Sequence, residues 1–495
     1  MSSPPHATAL DPGSEAALRA KYGARHRWLL LVTVMVGVIA SIMSSTVVNV
    51  AIPDLSQAFE LTQDRAQWVS SGFMLASTVT MLITPWLLAR FGYRATYAGC
   101  MGLLMAGGLL GGLAQNYPLV LLARVIEGLA TGVVMPIPAL IIMRAFGPHE
   151  QGRAGGLFGI GVVLAPALGP SVGGLLVDAF GWRSIFFMVV PFCLLCLGLG
   201  QRYVPTTGPD GHAARRDEPL DWIGLVTGAA GTLSLLQGLV ALRGASAGRA
   251  GLLLATAALC LLAFVAWQGQ RARRGQTPLM NLQLFAVRSF AMGSLVAMIY
   301  GTVLFGSTYL LPVYMQLGLG LSASSVGAVL LPSGLVLAVT IALAARLADR
   351  RPAGGLINIG LVLLALSFAA VVALDLQSGL WLLVAFVAIG RVGLGFILPA
   401  LNLGALRGLN PAQLPQGSSA ISFVRTLGGA AGVSLCAVLL EWRAQARGTS
   451  LTEGAPSLER LAAFEDVFLI LAALCALAML AARHLNQPVP RHPGE

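Results

Sequence analysis

The sequence predicts an all-α protein that crosses a membrane many times. Hydrophobic residues make up 56% of its 495 residues and charged residues only 10%, which is too little charge to cover a soluble protein of this size. Apolar segments of about 20 residues, the length that spans a bilayer as a helix, recur along nearly the whole chain. Short polar segments separate them. The chain is therefore predicted to be a polytopic membrane protein.

Fourteen segments meet the requirement for a membrane span. They lie near residues 28–50, 67–88, 95–114, 118–141, 155–177, 184–203, 221–242, 250–268, 289–311, 324–345, 354–374, 380–402, 417–440 and 466–484. The first segment is too long for a cleaved signal peptide, so we expect it to remain in the protein. An even number of spans places both ends of the chain on the same side of the membrane.

The basic residues indicate which side that is. The net charge is +11, and the arginines cluster between the apolar runs, where they are typical of cytoplasmic anchors and not of nucleic-acid binding. Two outer loops are exceptions to this alternation: the loop with Arg243 and Arg249, and the last outer loop with Arg443, Arg447 and Arg460. We therefore expect both termini and the linker from Arg202 to Glu218 in the cytoplasm. The six cysteines fall within or at the edge of apolar runs, which predicts neither disulfides nor a metal site.

The fifth predicted span is rich in glycine and proline. It reads GGLFGIGVVLAPALGPSVGG from Gly155 to Gly174. In a bilayer, small residues let neighbouring backbones touch, and adjacent helices satisfy the polar groups that proline frees. Gly169 and Gly173 lie four residues apart on one helix face, which predicts a close sliding contact with a neighbouring helix.

This stretch resembles the antiporter motif of major facilitator superfamily exporters. The residues that carry the motif are Gly161, Pro166, Gly169, Pro170, Gly173 and Gly174. In the first span, the run from Thr46 to Pro53 resembles the fourteen-span drug:proton antiporter family, the EmrB/QacA-like multidrug exporters. The resemblance covers nearly the whole chain, from Trp28 to about Arg483.

The chain also contains two copies of one loop pattern. PWLLARFGYR includes Arg90, Gly92 and Arg94, and ARLADRR includes Asp349 and Arg350. Each copy follows one span and precedes another, which is the position of the superfamily's G-x-L-A-D-R-x-G loop. The copies are about 260 residues apart, more than six spans need, so two further spans are expected between the halves.

The resemblance therefore implies the major facilitator fold, with two six-helix halves and two linking helices. The predicted divisions are a cytoplasmic tail at 1–27, an N-terminal half at 28–203, a linker with two extra helices at 204–288, a C-terminal half at 289–485 and a second cytoplasmic tail at 486–495.

Two positions depart from the family pattern. Ser44 stands where the first-span motif has an aspartate, and Ala89 stands where the loop motif has one, whereas Asp349 is retained in the second loop. A first-span carboxylate for proton coupling or cation recognition therefore cannot be assigned to this chain by resemblance.

Glu127 is the one carboxylate predicted to lie deep in the membrane. It belongs to the segment from Arg124 to Gly128 in the fourth span, which resembles the family's R-x-x-Q-G motif with Glu in place of Gln. Intramembrane ionisable groups commonly mark transport pathways. A change in the distance between Glu127 and Arg124 would alter the proton affinity of the carboxyl and so load or release a proton. The alternative is a purely structural ion pair between residues three apart on one helix face.

Other residues inside predicted spans are candidates for the wall of a substrate cavity. Arg391 and Arg425 are expected to hydrogen-bond backbone carbonyls between the halves, with contact to an anionic substrate as the alternative. Aromatic residues of the second and ninth spans fit a cavity or a packing role, and some fit an interfacial aromatic belt. The cavity candidates are Asn49, Phe73, Tyr300, Phe305, Arg391 and Arg425.

Together, the residues and the resemblance predict an inner-membrane transporter that exports amphipathic small molecules by alternating access, driven by inward proton movement. There is no phosphate-binding P-loop and no cluster of nucleophile, base and orienting group, so neither an ATP-driven pump nor an enzyme is expected. No cofactor is expected. The expected partners are a small-molecule substrate, protons and the lipid bilayer, and the resemblance leaves open a periplasmic adaptor with an outer-membrane channel. The alternatives are a proton-independent facilitator and a receptor or scaffold that does not transport.

Overall fold

The computed structural model describes residues 11–61, 63–208, 219–242, 247–374, 379–449, 451 and 457–485. Within these ranges the regular structure is helical and contains no β-strand. The α-helices are α1 (Glu15–Tyr22), α2 (His26–Ala58), α3 (Gln63–Thr80), α4 (Thr84–Gly112), α5 (Tyr117–Val134), α6 (Ile137–Ala145), α7 (Gln151–Phe180), α8 (Ser184–Phe187), α9 (Val189–Tyr203), α10 (Trp222–Ala241), α11 (Ala247–Arg273), α12 (Arg288–Val313), α13 (Ala323–Ala348), α14 (Ala353–Val372), α15 (Leu380–Leu406), α16 (Leu414–Ala446) and α17 (Leu458–Ala482).

Polar side chains define where several of the long apolar helices begin. The side chain of Asn116 accepts a hydrogen bond from a backbone N–H in the first turn of α5, and Asp221, Ser322 and Ser457 do the same for α10, α13 and α17. The first N–H groups of a helix have no partner within the helix, so these caps satisfy donors that would otherwise be exposed to the bilayer. Within the spans, hydrogen bonds inside each helix pair the backbone N–H and C=O groups, because lipid offers them no partner.

The helices pack in two sets that repeat the same order of contacts. In the first set α2 packs against α7, α3 against α5, and α4 against both α5 and α9. In the second set α12 packs against α16, α13 against α15, and α14 against both α15 and α17. This repetition is the arrangement expected of two related six-helix halves. The residue boundaries assigned to the halves from sequence stay a prediction.

Both described ends of the chain lie at one end of the bundle, which we call the terminal end. There Arg27, at the start of α2, forms an ion pair with Glu150, which precedes α7. Asp349, which follows α13, contacts the first turn of α7. Arg288, at the start of α12, lies 2.6 Å from His484 just after α17. These contacts therefore connect the ends of α2, α7, α12, α13 and α17 on the same side of the bundle, the terminal end.

The two halves contact each other near the terminal end. Ser418 Oγ of α16 donates a hydrogen bond to the carbonyl of Pro136 at 2.7 Å, and Ser419 Oγ donates to the carbonyl of Met81. Arg144 Nη2, at the end of α6, donates to the carbonyl of Pro411 at 2.7 Å. Helices α7 and α13 also cross here. This conformation is therefore closed between the halves at the terminal end.

Two helices, α10 and α11, lie between the halves in sequence and form a hairpin. Asp221 joins them, because its carboxylate accepts hydrogen bonds from Trp267 Nε1 and Gln268 Nε2, each at 2.8 Å. Helix α10 also packs against α3 and α16. Leu252, Leu259 and Leu262 of α11 are largely exposed, as expected for a face in contact with lipid.

The number of spans differs between sequence and structure. In the described residues, twelve helical segments are long and apolar enough to cross a membrane. One of these segments, Trp68–Gly112, contains 45 residues. At a rise of about 1.5 Å per residue, a continuous helix of this length would be more than twice as long as the hydrocarbon core is thick. It is two helices joined at Gly92, where φ is 76° and ψ is 175°. Helix α7 is not among these twelve segments, and several of its side chains are outside the described part of the chain. The total of fourteen therefore stays a prediction.

Candidate functional site

The centre of the N-terminal half contains a buried ion pair. Arg124 Nη1 lies 2.5 Å from Glu127 Oε2, and both side chains are 1% exposed. The two residues are three apart on α5, so they share one helix face. The sequence predicted this pairing, and the structure places it away from both ends of the bundle.

Three helices hold the guanidinium of Arg124. Its Nε donates to the carbonyl of Val69 on α3 at 3.1 Å, and its Nη1 donates to the carbonyl and hydroxyl of Ser44 on α2, each at 3.2 Å. The Phe73 ring centroid lies 4.3 Å from the guanidinium carbon. Ser44, which replaces the expected aspartate, is therefore a partner of Arg124, a role that sequence reasoning missed.

Glu127 is enclosed by close helix packing. A Cβ atom at Gly107 of α4 would lie 2.7 Å from Glu127 Cγ, which leaves no room there for a larger residue. Thr131 Oγ1 donates to the backbone carbonyl of Glu127 at 2.8 Å. In this conformation the carboxylate is therefore shielded from water and paired with Arg124.

The cavity candidates of the N-terminal half occupy different environments. Phe73 is 3% exposed because it packs beneath Arg124, so in this conformation it supports the ion pair. Asn49 is exposed, and its Oδ1 accepts a hydrogen bond from Ser70 Oγ at 2.7 Å. The structure therefore does not bring these two residues together.

The C-terminal half brings three of its candidates together. Tyr300 of α12 is buried, and α12 packs against both α15, which carries Arg391, and α16, which carries Arg425. The hydrogen bonds from Arg391 and Arg425 to backbone carbonyls, which the sequence led us to expect, are not formed within the described residues. Phe305 is 38% exposed and contacts the α16 backbone at Gly429. Phe305 is therefore the exposed candidate of α12, whereas Tyr300 on the same helix is buried.

The glycine-rich helix α7 has two packing faces. Gly169 and Gly173 face Thr46 and Val47 of α2, and a Cβ at Gly173 would lie 2.8 Å from Val47 Cγ1. Gly161 faces α2 as well, whereas Gly174 has open space and Pro166 is exposed. The side chain of Pro170 lies outside the described residues. The motif glycines therefore form a close contact within the N-terminal half.

The contact between the halves lies nearer the terminal end of α7. A Cβ at Gly159 would lie 2.6 Å from Ile341 Cγ2 of α13, and Gly156 faces Ala345 of the same helix. Gly156 and Gly159 lie outside the motif positions named from the sequence. The glycine-rich composition around them was the available signal, but composition alone does not say which helix each glycine faces.

The two copies of the loop pattern make different contacts. Gly92 adopts a positive φ of 76°, and its neighbours pair with the segment after α9: Tyr93 N donates to Thr207 O at 3.1 Å, and Arg94 N donates to Pro205 O at 2.9 Å. The Arg90 guanidinium lies over the Trp86 ring. The first loop is therefore held by the segment that directly follows α9, the last helix of the same set.

The second loop contacts the other half. Asp349 Oδ1 and Oδ2 accept hydrogen bonds from the backbone N–H groups of Gly152 and Arg153, at 2.5 and 3.0 Å, and so cap α7. Burial raises the pKa of Asp349, although these two hydrogen bonds and the charge of Arg407 act against the shift. Arg350 is exposed beside it.

No group of three histidine, cysteine, aspartate or glutamate residues that could hold a metal ion is found in the part of the chain that the structure describes. The six cysteines are free thiols.

Two similar sets of six helices that close together at one end of the bundle are the architecture of a membrane transporter. The sequence profile of the Major Facilitator Superfamily matches residues 34–433, and the chain belongs to that superfamily.

Individual relatives agree with this assignment. The chain is 33% identical over 423 residues to the multidrug resistance protein B homolog of Mycobacterium tuberculosis (strain ATCC 25618 / H37Rv), covering 84% of this chain and 77% of the relative. It is 27% identical to the methylenomycin A resistance protein of Streptomyces coelicolor, covering 82% and 84% of the two chains. Among solved structures, it resembles the proton:xylose symporter XylE with a TM-score of 0.66 at 14% identity, covering 93% of this chain and 95% of the other.

Proposed function

We propose that this protein exports amphipathic small molecules, including drugs, by alternating access coupled to inward proton movement. The observation that carries the proposal is the Arg124–Glu127 ion pair, which is buried inside the bundle and reachable from neither end in this conformation. The relatives named for resistance to antibiotics support transport out of the cell.

Glu127 is the proposed proton carrier. Its carboxylate exchanges a proton when the ion pair opens, and re-formation of the pair with Arg124 expels that proton. Arg124 is held by α2 and α3 as well as by its own helix, so movement of those helices against α5 would change the length of the ion pair. A proton that crosses the membrane supplies about 2.3 kcal/mol per 100 mV of membrane potential.

The closed terminal end is proposed to face the cytoplasm of an inner-membrane protein. The predicted loops at this end are the ones enriched in arginine, as the positive-inside rule requires. With that orientation, the present conformation is closed toward the cytoplasm. Transport would then require the halves to separate at Gly159, Asp349 and Arg144 and to close at the opposite end.

A proton-independent facilitator is the second candidate function. It is favoured by Ser44 and Ala89, which replace the two aspartates of the family pattern. In this alternative the Arg124–Glu127 pair only stabilises α5 against its neighbours. A receptor or scaffold that does not transport is the third candidate, and the similarity to resistance proteins argues against it.

Transport by the purified protein in liposomes separates these functions. The probes are three fluorescent compounds with one ring system and different charge: dansylglycine, dansylamide and dansylcadaverine. Each is measured with and without an imposed pH gradient, for the wild type and for Glu127→Gln. We expect the gradient to drive wild-type transport of at least one probe. Glu127→Gln should abolish this gradient-driven component but retain exchange of the probe without a gradient.

The matched control is Glu150→Gln, since Glu150 forms its ion pair with Arg27 outside the membrane core. It should transport as the wild type does. Gradient-driven transport by Glu127→Gln with an unchanged pH profile would exclude Glu127 as the carrier, and gradient-independent transport by the wild type would establish the facilitator. If no probe crosses under any condition, the receptor or scaffold function gains support.

A further inference from the structure

The C-terminal half contains two intramembrane arginines without a carboxylate partner. Arg391 and Arg425 are mostly buried, and neither takes part in an ion pair within the described residues. Tyr300 lies on α12, which packs against both α15 and α16, but its phenol is uncharged and offsets neither arginine. Arg124 differs from them, because Glu127 neutralises it directly.

The three residues lie at similar depth near the middle of the membrane. Tyr300 is 12 residues after the start of α12, and Arg425 is 11 residues after the start of α16, and both of these helices start at the terminal end. At about 1.5 Å per residue, each is roughly 17 Å from that end, about half of a bilayer core of 30 Å. Arg391 lies 11 residues into α15, which runs in the opposite direction.

Close backbone packing holds two of these helices in place. Gly301, next to Tyr300, lies against the carbonyl of Arg425, and Thr302 Oγ1 donates to the carbonyl of Gly428 at 2.9 Å. The Cα positions of Tyr300 and Arg425 are therefore set by a glycine contact between α12 and α16. Tyr300 and Arg425 therefore lie at a closely packed helix–helix interface and not in a loop.

Two unneutralised guanidinium groups in a bilayer are costly unless something pairs with them. Arginine presents its N–H donors in a planar fork that matches a carboxylate, sulfonate or phosphate. The described residues supply no such group, so an anion from outside the chain is the fitting partner. A neutral or cationic molecule would leave both charges unpaired.

We propose that Arg391 and Arg425, with Tyr300 beside them, bind the anionic head group of an amphipathic substrate. This inference rests on the proposed transport function, of which it specifies the substrate class. The transported molecule is then an organic anion with one carboxylate or sulfonate, while the proton is handled separately by Glu127 in the other half.

Binding to the purified full-length protein tests this without requiring transport. Dansylglycine carries a carboxylate, dansylamide is neutral and dansylcadaverine is cationic, and the binding of each is followed by dansyl fluorescence in nanodiscs of zwitterionic lipid. We expect the wild type to bind dansylglycine at least tenfold more tightly than dansylamide. Arg391→Gln and Arg425→Gln should each raise the Kd of dansylglycine about tenfold or more and leave that of dansylamide unchanged.

The variant Arg443→Gln is the control on the same helix as Arg425, because Arg443 bonds Asp466 at the opposite end of the bundle. It should retain the preference for dansylglycine. Arg391→Lys and Arg425→Lys keep the charge, so they should retain part of that preference even if a glutamine variant fails to fold. Equal wild-type affinity for the anionic and neutral probes, or tighter binding of dansylcadaverine, would overturn the proposal.

A lipid phosphate could present the same chemistry as a substrate anion. We therefore repeat the titration after adding phosphatidylglycerol to the nanodiscs. Unchanged binding of dansylglycine supports a small-molecule site, whereas loss of binding in proportion to the added lipid would assign the arginines to a lipid and overturn the substrate proposal. Selective anion binding in a protein that transports no probe would support the anion site and count against the transport function, so the two failures are distinguishable.

Discussion

Adding one methyl group at Gly159 should weaken closure of the terminal end. In the closed structure, a Cβ at this position would lie 2.6 Å from Ile341 Cγ2 of the other half. The preferred separation of two carbon atoms is about 3.5–4.0 Å, so α7 and α13 would have to move apart by about 1 Å or Ile341 would have to leave its rotamer. Overpacking of this kind costs about 1–3 kcal/mol. The clash disappears when the halves separate, so Gly159→Ala should shift the equilibrium toward the open terminal end by about 5- to 150-fold.

The assay is the distance between spin labels on the two halves, measured by double electron–electron resonance. Labels at Pro148→Cys and Ala412→Cys, both at exposed positions near the cross-half bond of Arg144, are introduced after removal of the six free cysteines. The control is Gly155→Ala, because a Cβ at Gly155 of the same helix meets nothing within 4 Å. Both changes raise helix propensity equally. If the two variants give the same distance distribution, the contact between Gly159 and Ile341 does not govern closure.

Three further predictions follow from neighbouring features. Gly173→Leu, whose Cβ would lie 2.8 Å from Val47 Cγ1, should reduce transport at least tenfold at a normal protein level in the membrane, whereas Gly174→Leu, in open space, should be tolerated; equal transport by both would show that the motif face is ordinary helix. In the closed state, burial raises the pKa of Asp349 above its ordinary value of 3.8. The closed state therefore binds the proton more tightly than the open state, and it gains stability relative to the open state as the pH falls through the raised pKa toward 3.8. Asp349→Asn should remove that pH dependence from the distance between the spin labels, and an unchanged dependence would assign it to another group. A cysteine replacing His212, which lies outside the described residues, should resist a membrane-impermeant thiol reagent in intact cells, and rapid labelling from outside would reverse the proposed orientation.

The sequence predicted the helices well because the bilayer imposes one strict rule. A segment in lipid must satisfy its own backbone and be about 20 apolar residues long, so composition alone locates most spans. The predicted segment 289–311 corresponds to α12, Arg288–Val313, and 354–374 corresponds to α14, Ala353–Val372. The long helices α2 and α16 extend beyond the apolar core, and hydropathy does not reveal those polar extensions.

The candidate site was predictable only where local spacing determines contact. Arg124 and Glu127 are three residues apart on one helix, so their pairing could be predicted without knowing the fold. Contacts between distant segments were not predictable, because nothing in a single sequence shows that Ser44 faces Arg124 or that Gly159 faces Ile341. The same limit explains why backbone hydrogen bonds were expected for Arg391 and Arg425, which instead lie on two helices that pack against α12.

The two copies of the loop pattern differ in how far their contacts depend on side chains, and therefore in which substitutions each should tolerate. The first loop is held by backbone bonds to Pro205 and Thr207, which depend little on side-chain identity, so the loss of its aspartate at Ala89 carries a small penalty. The second loop depends on the Asp349 side chain, which is the acceptor for both N–H groups of α7. Substitution of Ala89 should therefore change closure of the terminal end less than substitution of Asp349 does.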